Sequence, residues 1–324
     1  MQAILNVTLP FFALVLCGYA AARFRVLPES AIPGLNAFVL FFALPCMLFR
    51  FGQSTPVLEL LNPSVLAVYV LVALAVVAFT LAVTLSRRIH LKDGAFGALV
   101  AAFPNTGFMG VPLLISLLGP AAAGPLICVL LADLFVTSSV CIALAQLHDG
   151  GRSASGRRAL AWKAAKGALS NPLPWAIAAG AVLSLAGIRL QGPPEVVVRM
   201  LGEAASPVAL FTIGAVLWRA GQHAASKTPP ELVWPVALIK LFLHPLLVLL
   251  ASGVARSLGA PLTGFQVTVM ILAAALPSAS NVSLLAERYQ ADNGRIARII
   301  MTSTALAFIT FTALAVVLGV RPTG

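Results

Sequence analysis

Long apolar runs separated by short polar punctuation make up nearly the whole chain. With Pro, Gly and charge taken as boundaries, ten runs emerge, at 3–22, 31–50, 63–85, 94–118, 122–146, 171–188, 196–218, 233–255, 264–287 and 296–319. Each approaches the roughly 20 residues that a helix needs to cross a hydrocarbon core. The expected fold is therefore an all-α polytopic membrane protein of ten transmembrane helices, embedded in a lipid bilayer.

Composition sharpens this picture. Of the 324 residues 60% are apolar and 10% charged, and mean hydropathy is +0.99, against roughly 45–50% and about 25% in soluble domains. Disorder and an ordinary soluble enzyme are excluded, and the most polar connection, 146–170, is too short for a catalytic domain. The net charge of +11 would suit nucleic acid in a polar chain; here the basic residues read as topology signals at helix ends, and no nucleic-acid partner is expected. When successive connections are assigned to alternating sides, 15 Lys and Arg fall on one side and 5 on the other, with Lys240 inside a span. Positive-inside bias then puts both termini outside and a basic loop, 149–170, in the cytoplasm. The first run lacks a basic segment before it, so it is expected to stay as a spanning helix, not to be cleaved as a signal. Cys17, Cys46, Cys128 and Cys141 lie within apolar runs without CxxC spacing, which points to packing and not to a disulfide framework or a metal site.

The same loop divides the chain into two five-helix units, 1–148 and 171–324. Weak self-similarity supports the division: Asn6–Pro10 matches Asn171–Pro174, Leu27-Pro28-Glu29 matches Pro193-Pro194-Glu195, and Ala43-Leu44-Pro45 matches Ala205-Ser206-Pro207. Because five is odd, the second copy must enter from the opposite face, which makes an inverted repeat of the kind found in secondary transporters.

The chemistry concentrates at the centres of two corresponding spans. The fourth contains Phe103-Pro104-Asn105-Thr106-Gly107 and the ninth Leu276-Pro277-Ser278-Ala279-Ser280-Asn281. Proline interrupts a helix, and the Asn, Ser and Thr that follow are residues able to cap a new one. Both spans are expected to be broken at Pro104 and Pro277, with Asn105, Thr106, Gly107, Ser278, Ser280 and Asn281 available to a substrate. If the breaks face each other, the half-helix N-termini favour an anion, while carbonyls at the C-terminal ends suit a cation. The other reading is that each proline merely kinks a continuous helix.

Ionisable groups inside spans are costly and need a reason. Asp133 in the fifth span is the candidate for coupling to H+ or Na+, with a salt bridge or hydrogen bond inside the bundle as the alternative. Lys240 and His244, four apart in the eighth span, share a face; they could pair with Asp133, relay a proton or attract an anion, or Lys240 could snorkel to the interface. Glu203 with Arg199 reads as a surface ion pair, Glu287 and Arg288 as interfacial charges, and Asn36 and Gln266 as path-lining or interhelical polar groups.

The segments PNTGFMGVPLL and LPSASNVSLLAERYQAD resemble the auxin efflux carrier family, which includes plant auxin exporters and bacterial malate and malonate permeases. The resemblance implies that the fourth and ninth spans cross at Pro104 and Pro277, with Asn105 and Asn281 holding a substrate carboxylate. It further implies a scaffold of the first, second, sixth and seventh spans, able to form a homodimer through the second and seventh, beside a mobile bundle of the rest. The short central loop fits a compact bacterial member in the inner membrane. The expected function is a secondary transporter for a small organic anion, without a cofactor; a channel or a ligand sensor on the same fold is the alternative. An enzyme is not expected, since His90, His148, His223 and His244 are scattered and neither HExxH nor a phosphate-binding loop is present.

Overall fold

A computed structural model describes residues 2–54, 61–148, 171–223 and 229–322; the expected 149–170 loop lies outside the described residues. The described elements are helices: α1 (Gln2–Arg23), α2 (Glu29–Ser54), α3 (Pro63–Thr84), α4 (Leu91–Ala102), α5 (Thr106–Leu118), α6 (Pro120–Leu147), α7 (Pro172–Leu185), α8 (Pro193–His223), α9 (Trp234–Ser257), α10 (Gly264–Ala274), α11 (Val282–Arg288) and α12 (Asn293–Val317). Seven of them, α1, α2, α3, α6, α8, α9 and α12, are long and apolar enough to cross a membrane. The fourth run divides into α4 and α5, and the ninth into α10 and α11. The sixth run forms the 14-residue α7, about 21 Å of helix at 1.5 Å per residue.

Local chemistry sets several of these starts. The Asn62 side chain accepts from the amides of Ser64 and Val65, with Pro63 as the first residue of α3; Asn171 and Pro172 repeat the device at α7. Gln266 is committed to a capping box with Thr263 at the start of α10, so it caps a helix and does not line a path. Four helices contain a π turn: α2 at Val39–Ala43, α5 at Thr106–Gly110, α6 at Asp133–Thr137 and α9 at Ile239–Leu243.

Two packing groups are evident. In one, α1 lies along α8, α2 lies along α7, and α8 also packs on α2; in the other, α3, α4, α6, α9 and α10 pack together, with α12 touching both. Glycines permit the closest approaches. A Cβ on Gly18 would collide with the carbonyl oxygen of Phe211 in α8, and one on Gly214 with that of Val15 in α1. The α2–α7 contact has the same reciprocal form, Gly52 against the Ile177 carbonyl and Gly180 against that of Phe49. Small residues that let backbones touch are what helices use to associate where lipid is as apolar as the side chains. Outward-facing Leu71, Val182, Met200 and Ile309, each more than 60% exposed, suit a hydrocarbon solvent.

Candidate functional site: a backbone crossing and a buried polar cluster

The interruptions in the fourth and ninth runs meet. Pro104 and Ser278 form an antiparallel bridge, the Asn105 N–H donates to the Pro277 carbonyl at 2.8 Å, and the Ala279 N–H donates to the Phe103 carbonyl at 3.0 Å. The cause is local. Proline forces the residue before it out of the helical region, and Phe103 is extended at φ −100°, ψ 98°. Each proline also deprives a carbonyl four residues earlier of its helical donor. For Pro104 that carbonyl belongs to Val100, and the Ser278 hydroxyl donates to it at 2.7 Å. The Ser278 N–H in turn donates to Ser303 Oγ at 3.2 Å, which frees the Ala274 carbonyl; Lys240 Nζ donates to that at 2.6 Å. The two breaks therefore satisfy each other, as backbone buried at membrane depth must.

Pro104, Asn105, Thr106, Gly107, Ser278 and Ser280 are buried, and Asn281 is half-buried. The expectation that the Asn side chains cap the new half-helices is corrected. Asn105 precedes α5 at φ −76°, ψ 53° and Asn281 precedes α11 at φ −69°, ψ −16°, and neither side chain makes a capping bond. Side-chain capping calls for an extended residue. The Asn105 carbonyl instead accepts from both Met109 and Gly110, closing the π turn. Both side-chain amides are thus left without a hydrogen bond among the described residues, and the buried Thr106 hydroxyl has none either.

A cavity of about 530 Å³ reaches this region from the end of the bundle where α2 and α12 begin and α8 and α11 finish. Ser280 and Asn281 line it, together with Asn36, Ser283, Glu287 and Asn293, and Arg219 contributes a cation. Asn105, Thr106 and Gly107 are not among its lining residues; they belong to the crossing beside it. Glu287, exposed in the last turn of α11, also lines the cavity. Asn36 was legible as a polar residue in an apolar run, whereas Arg219 and Asn293 looked like ordinary helix-end residues.

A second polar group lies deeper. Asp133 is fully buried and accepts from the Tyr69 hydroxyl at 3.3 Å and from that of Thr137 at 3.0 Å. Lys240 and His244 are fully buried too, with Lys240 Nζ 3.2 Å from His244 Nδ1, and the Tyr69 and His244 rings lie 5.7 Å apart. Lys240 does not snorkel; its ammonium ends on a helix C-terminus. Nor does Asp133 pair directly with it among the described contacts; Tyr69 touches both sides, donating to Asp133 and lying against the His244 ring. Tyr69 carried no signal in sequence, since an aromatic in an apolar run reads as packing.

Arg295 lies just before the tenth apolar run, where a cation would ordinarily belong to a connection. It is in fact 1% exposed: its guanidinium donates from Nε to the Leu232 carbonyl and from Nη1 to the Asp93 carbonyl, both at 3.1 Å, and so joins the starts of α4, α9 and α12. The Arg199–Glu203 ion pair is present at 3.7 Å and half-exposed, with Glu195 at the same distance from Arg199.

The family described as "Membrane transport protein" matches residues 3–315. The chain is 29% identical over 315 residues to a Rhizobium meliloti (strain 1021) protein named "Putative malonate transporter", covering 97% of this chain and 95% of that one. It is 25% identical over 286 residues to "Uncharacterized transporter YfdV" of Escherichia coli (strain K12), covering 87% of each. A Methanothermobacter thermautotrophicus "Uncharacterized transporter" is 25% identical over 313 residues, covering 96% of this chain and 97% of that one. With a family match that runs almost end to end, the chain belongs to the membrane transport protein family of auxin efflux carrier-like permeases.

Proposed function

We propose that the protein is a secondary transporter that carries a small carboxylate, of the malonate type, through a site at the crossing of α4–α5 with α10–α11. The observation that carries this reading is the pair of side-chain amides, Asn105 and Asn281, left without partners beside backbone bonds that cross at 2.8 and 3.0 Å. Amide N–H groups are suitable donors to a carboxylate, and the buried Thr106 hydroxyl next to Asn105, which has no partner among the described residues, is costly unless a ligand supplies one. The cavity brings solvent to Ser280 and Asn281. A Cβ on Gly107 would meet nothing nearer than Leu130 at 3.7 Å, so packing does not demand glycine there, and close approach of a ligand to backbone is a reason for it.

The ten-span inverted repeat belongs to the same reading. Its support is the glycine contacts: a shift of 162 residues turns Gly18 into Gly180 and Gly52 into Gly214, exchanging the α1–α8 contact with the α7–α2 contact. The charge asymmetry supports outside termini and a cytoplasmic 149–170 loop in a bacterial inner membrane. Exposed Phe42, Val197 and Met200 on α2 and α8 are available to lipid or to a second copy in a homodimer. The α1, α2, α7 and α8 group would be the static partner against which the crossing moves.

The test is uptake of radiolabelled malonate into proteoliposomes. Asn105→Ala and Asn281→Ala are each expected to lower saturable counterflow at least tenfold while the purified variants stay monodisperse. Full activity in both would remove the site from the crossing, and uptake linear in concentration would indicate a pore.

A further inference from the structure

Groups from three helices and the end of a fourth converge inside the second packing group. Lys240 and His244 come from α9, Asp133 and Thr137 from α6, Tyr69 from α3, and the Ala274 carbonyl from the last residue of α10. The ammonium of Lys240 thus stands at the negative end of the α10 dipole, three residues before Pro277. Asp133 and Lys240 both lie in π turns, which recur at functional sites in helices. Of the other elements packed here, α6 adds the Cys141 thiol near Asp133, and α10 adds no titratable side chain. The α4 helix presents the Ala101 carbonyl toward His244, and its Lys92 and Asp93 lie at its far start. The α12 cation Arg295 is tied to Leu232, two turns of helix before Lys240 at about 1.5 Å per residue.

Net charge is expensive in a low-dielectric interior. With Lys240 as an ammonium and Asp133 as a carboxylate, the cluster is neutral overall. A substrate carboxylate held by Asn105 and Asn281 adds negative charge at the crossing, whose Pro277 follows three residues after the Ala274 carbonyl that Lys240 bonds. We propose that the cluster is a proton-binding station with Lys240 as its resident cation, and that a carboxylate bound at the crossing is matched by one proton taken from solvent onto Asp133. The step forms one O–H bond on the Asp133 carboxyl and breaks none but that of the donor water or hydronium. A metal cation at the Ala274 carbonyl would have to displace the Lys240 side chain that already bonds it, so this cluster favours a proton over Na+. This inference rests on the carboxylate-transport reading.

The experiment compares malonate counterflow, which needs no driving ion, with accumulation driven by an imposed H+ or Na+ gradient in the same proteoliposomes. Wild type is expected to accumulate substrate severalfold above equilibrium with an inward H+ gradient, and equally with Na+ or K+ as the salt. Asp133→Asn is expected to retain counterflow, which also reports its folding, and to lose accumulation down to equilibrium. Tyr69→Phe, which removes one donor to Asp133, is expected to displace the pH profile of driven uptake, a readout that a merely structural hydroxyl would leave in place. Accumulation driven by Na+, accumulation by Asp133→Asn equal to wild type, or an unmoved profile in Tyr69→Phe each overturns the proton station alone. Absence of counterflow in wild type overturns the transport reading, and this inference with it.

Discussion

The Ser278 hydroxyl donates to the Val100 carbonyl at 2.7 Å, supplying from one broken helix the hydrogen bond that Pro104 removes from the other. The two interruptions are therefore interdependent. A proline in either span would leave orphaned backbone in the membrane, and it is the opposing break that makes this tolerable.

Ser278→Ala deletes that donor and leaves a fully buried carbonyl unsatisfied. A loss of roughly 1–3 kcal/mol is expected, read as a lower thermal unfolding midpoint in detergent. Asn281→Ala, whose side chain makes no hydrogen bond among the described residues, should leave the midpoint within the scatter of surface substitutions, about 0.5 kcal/mol. Equal destabilisation by the two would contradict the division of labour between latch and ligand group.

The glycine contacts make a paired prediction. Gly18→Ala and Gly214→Ala each drive a methyl group into a backbone carbonyl, as do Gly52→Ala and Gly180→Ala at the equivalent contact. Each should cost at least the roughly 1–3 kcal/mol of an overpacked core, seen as reduced monodisperse yield. Gly34→Ala, where a Cβ would meet nothing within 4 Å, should behave as wild type.

Arg295→Met retains the apolar stem but abandons the carbonyls of Leu232 and Asp93. Hydrogen bonds from a charged donor contribute roughly 1.5–3 kcal/mol each, so thermal stability should fall by several degrees. Arg288→Met, at an exposed position one turn before the chain enters α12, provides the control and should change little.

Accessibility tests the cavity directly. In a background without the four native cysteines, Asn36→Cys and Ser283→Cys should react with a membrane-impermeant thiol reagent added from the side on which α8 ends and α12 begins. Leu71→Cys, exposed but on the apolar surface of α3, should not. Excess malonate is expected to slow modification of Ser280→Cys severalfold, since that residue is where cavity and crossing meet.

Much of this architecture can be read from the chain because membrane segments obey one-dimensional rules. Hydrophobic length marks helices and proline marks possible interruptions, while the crossing at Pro104 and Pro277 was implied by the family resemblance and not by their positions alone. The identities of Asn105 and Asn281 were equally visible, but not the fact that their amides stay free: capping depends on backbone angles that a residue type does not specify. Lys240 illustrates the same limit. Its place in an apolar run suggested either a snorkelling cation or a site, and the choice turned on the Ala274 carbonyl, an acceptor present at every residue and therefore silent in any sequence.

Hydropathy and punctuation by themselves determined that this is a helical membrane protein with two interrupted segments, because the cost of an unsatisfied amide in lipid acts on each segment separately. Tertiary structure alone decided which orphaned backbone group meets which donor, that Tyr69 bonds Asp133 and lies against His244, and that Arg295 is an internal tie. Those pairings join residues as many as 202 positions apart; they depend on how whole helices pack, which the order of residues within any one helix does not encode.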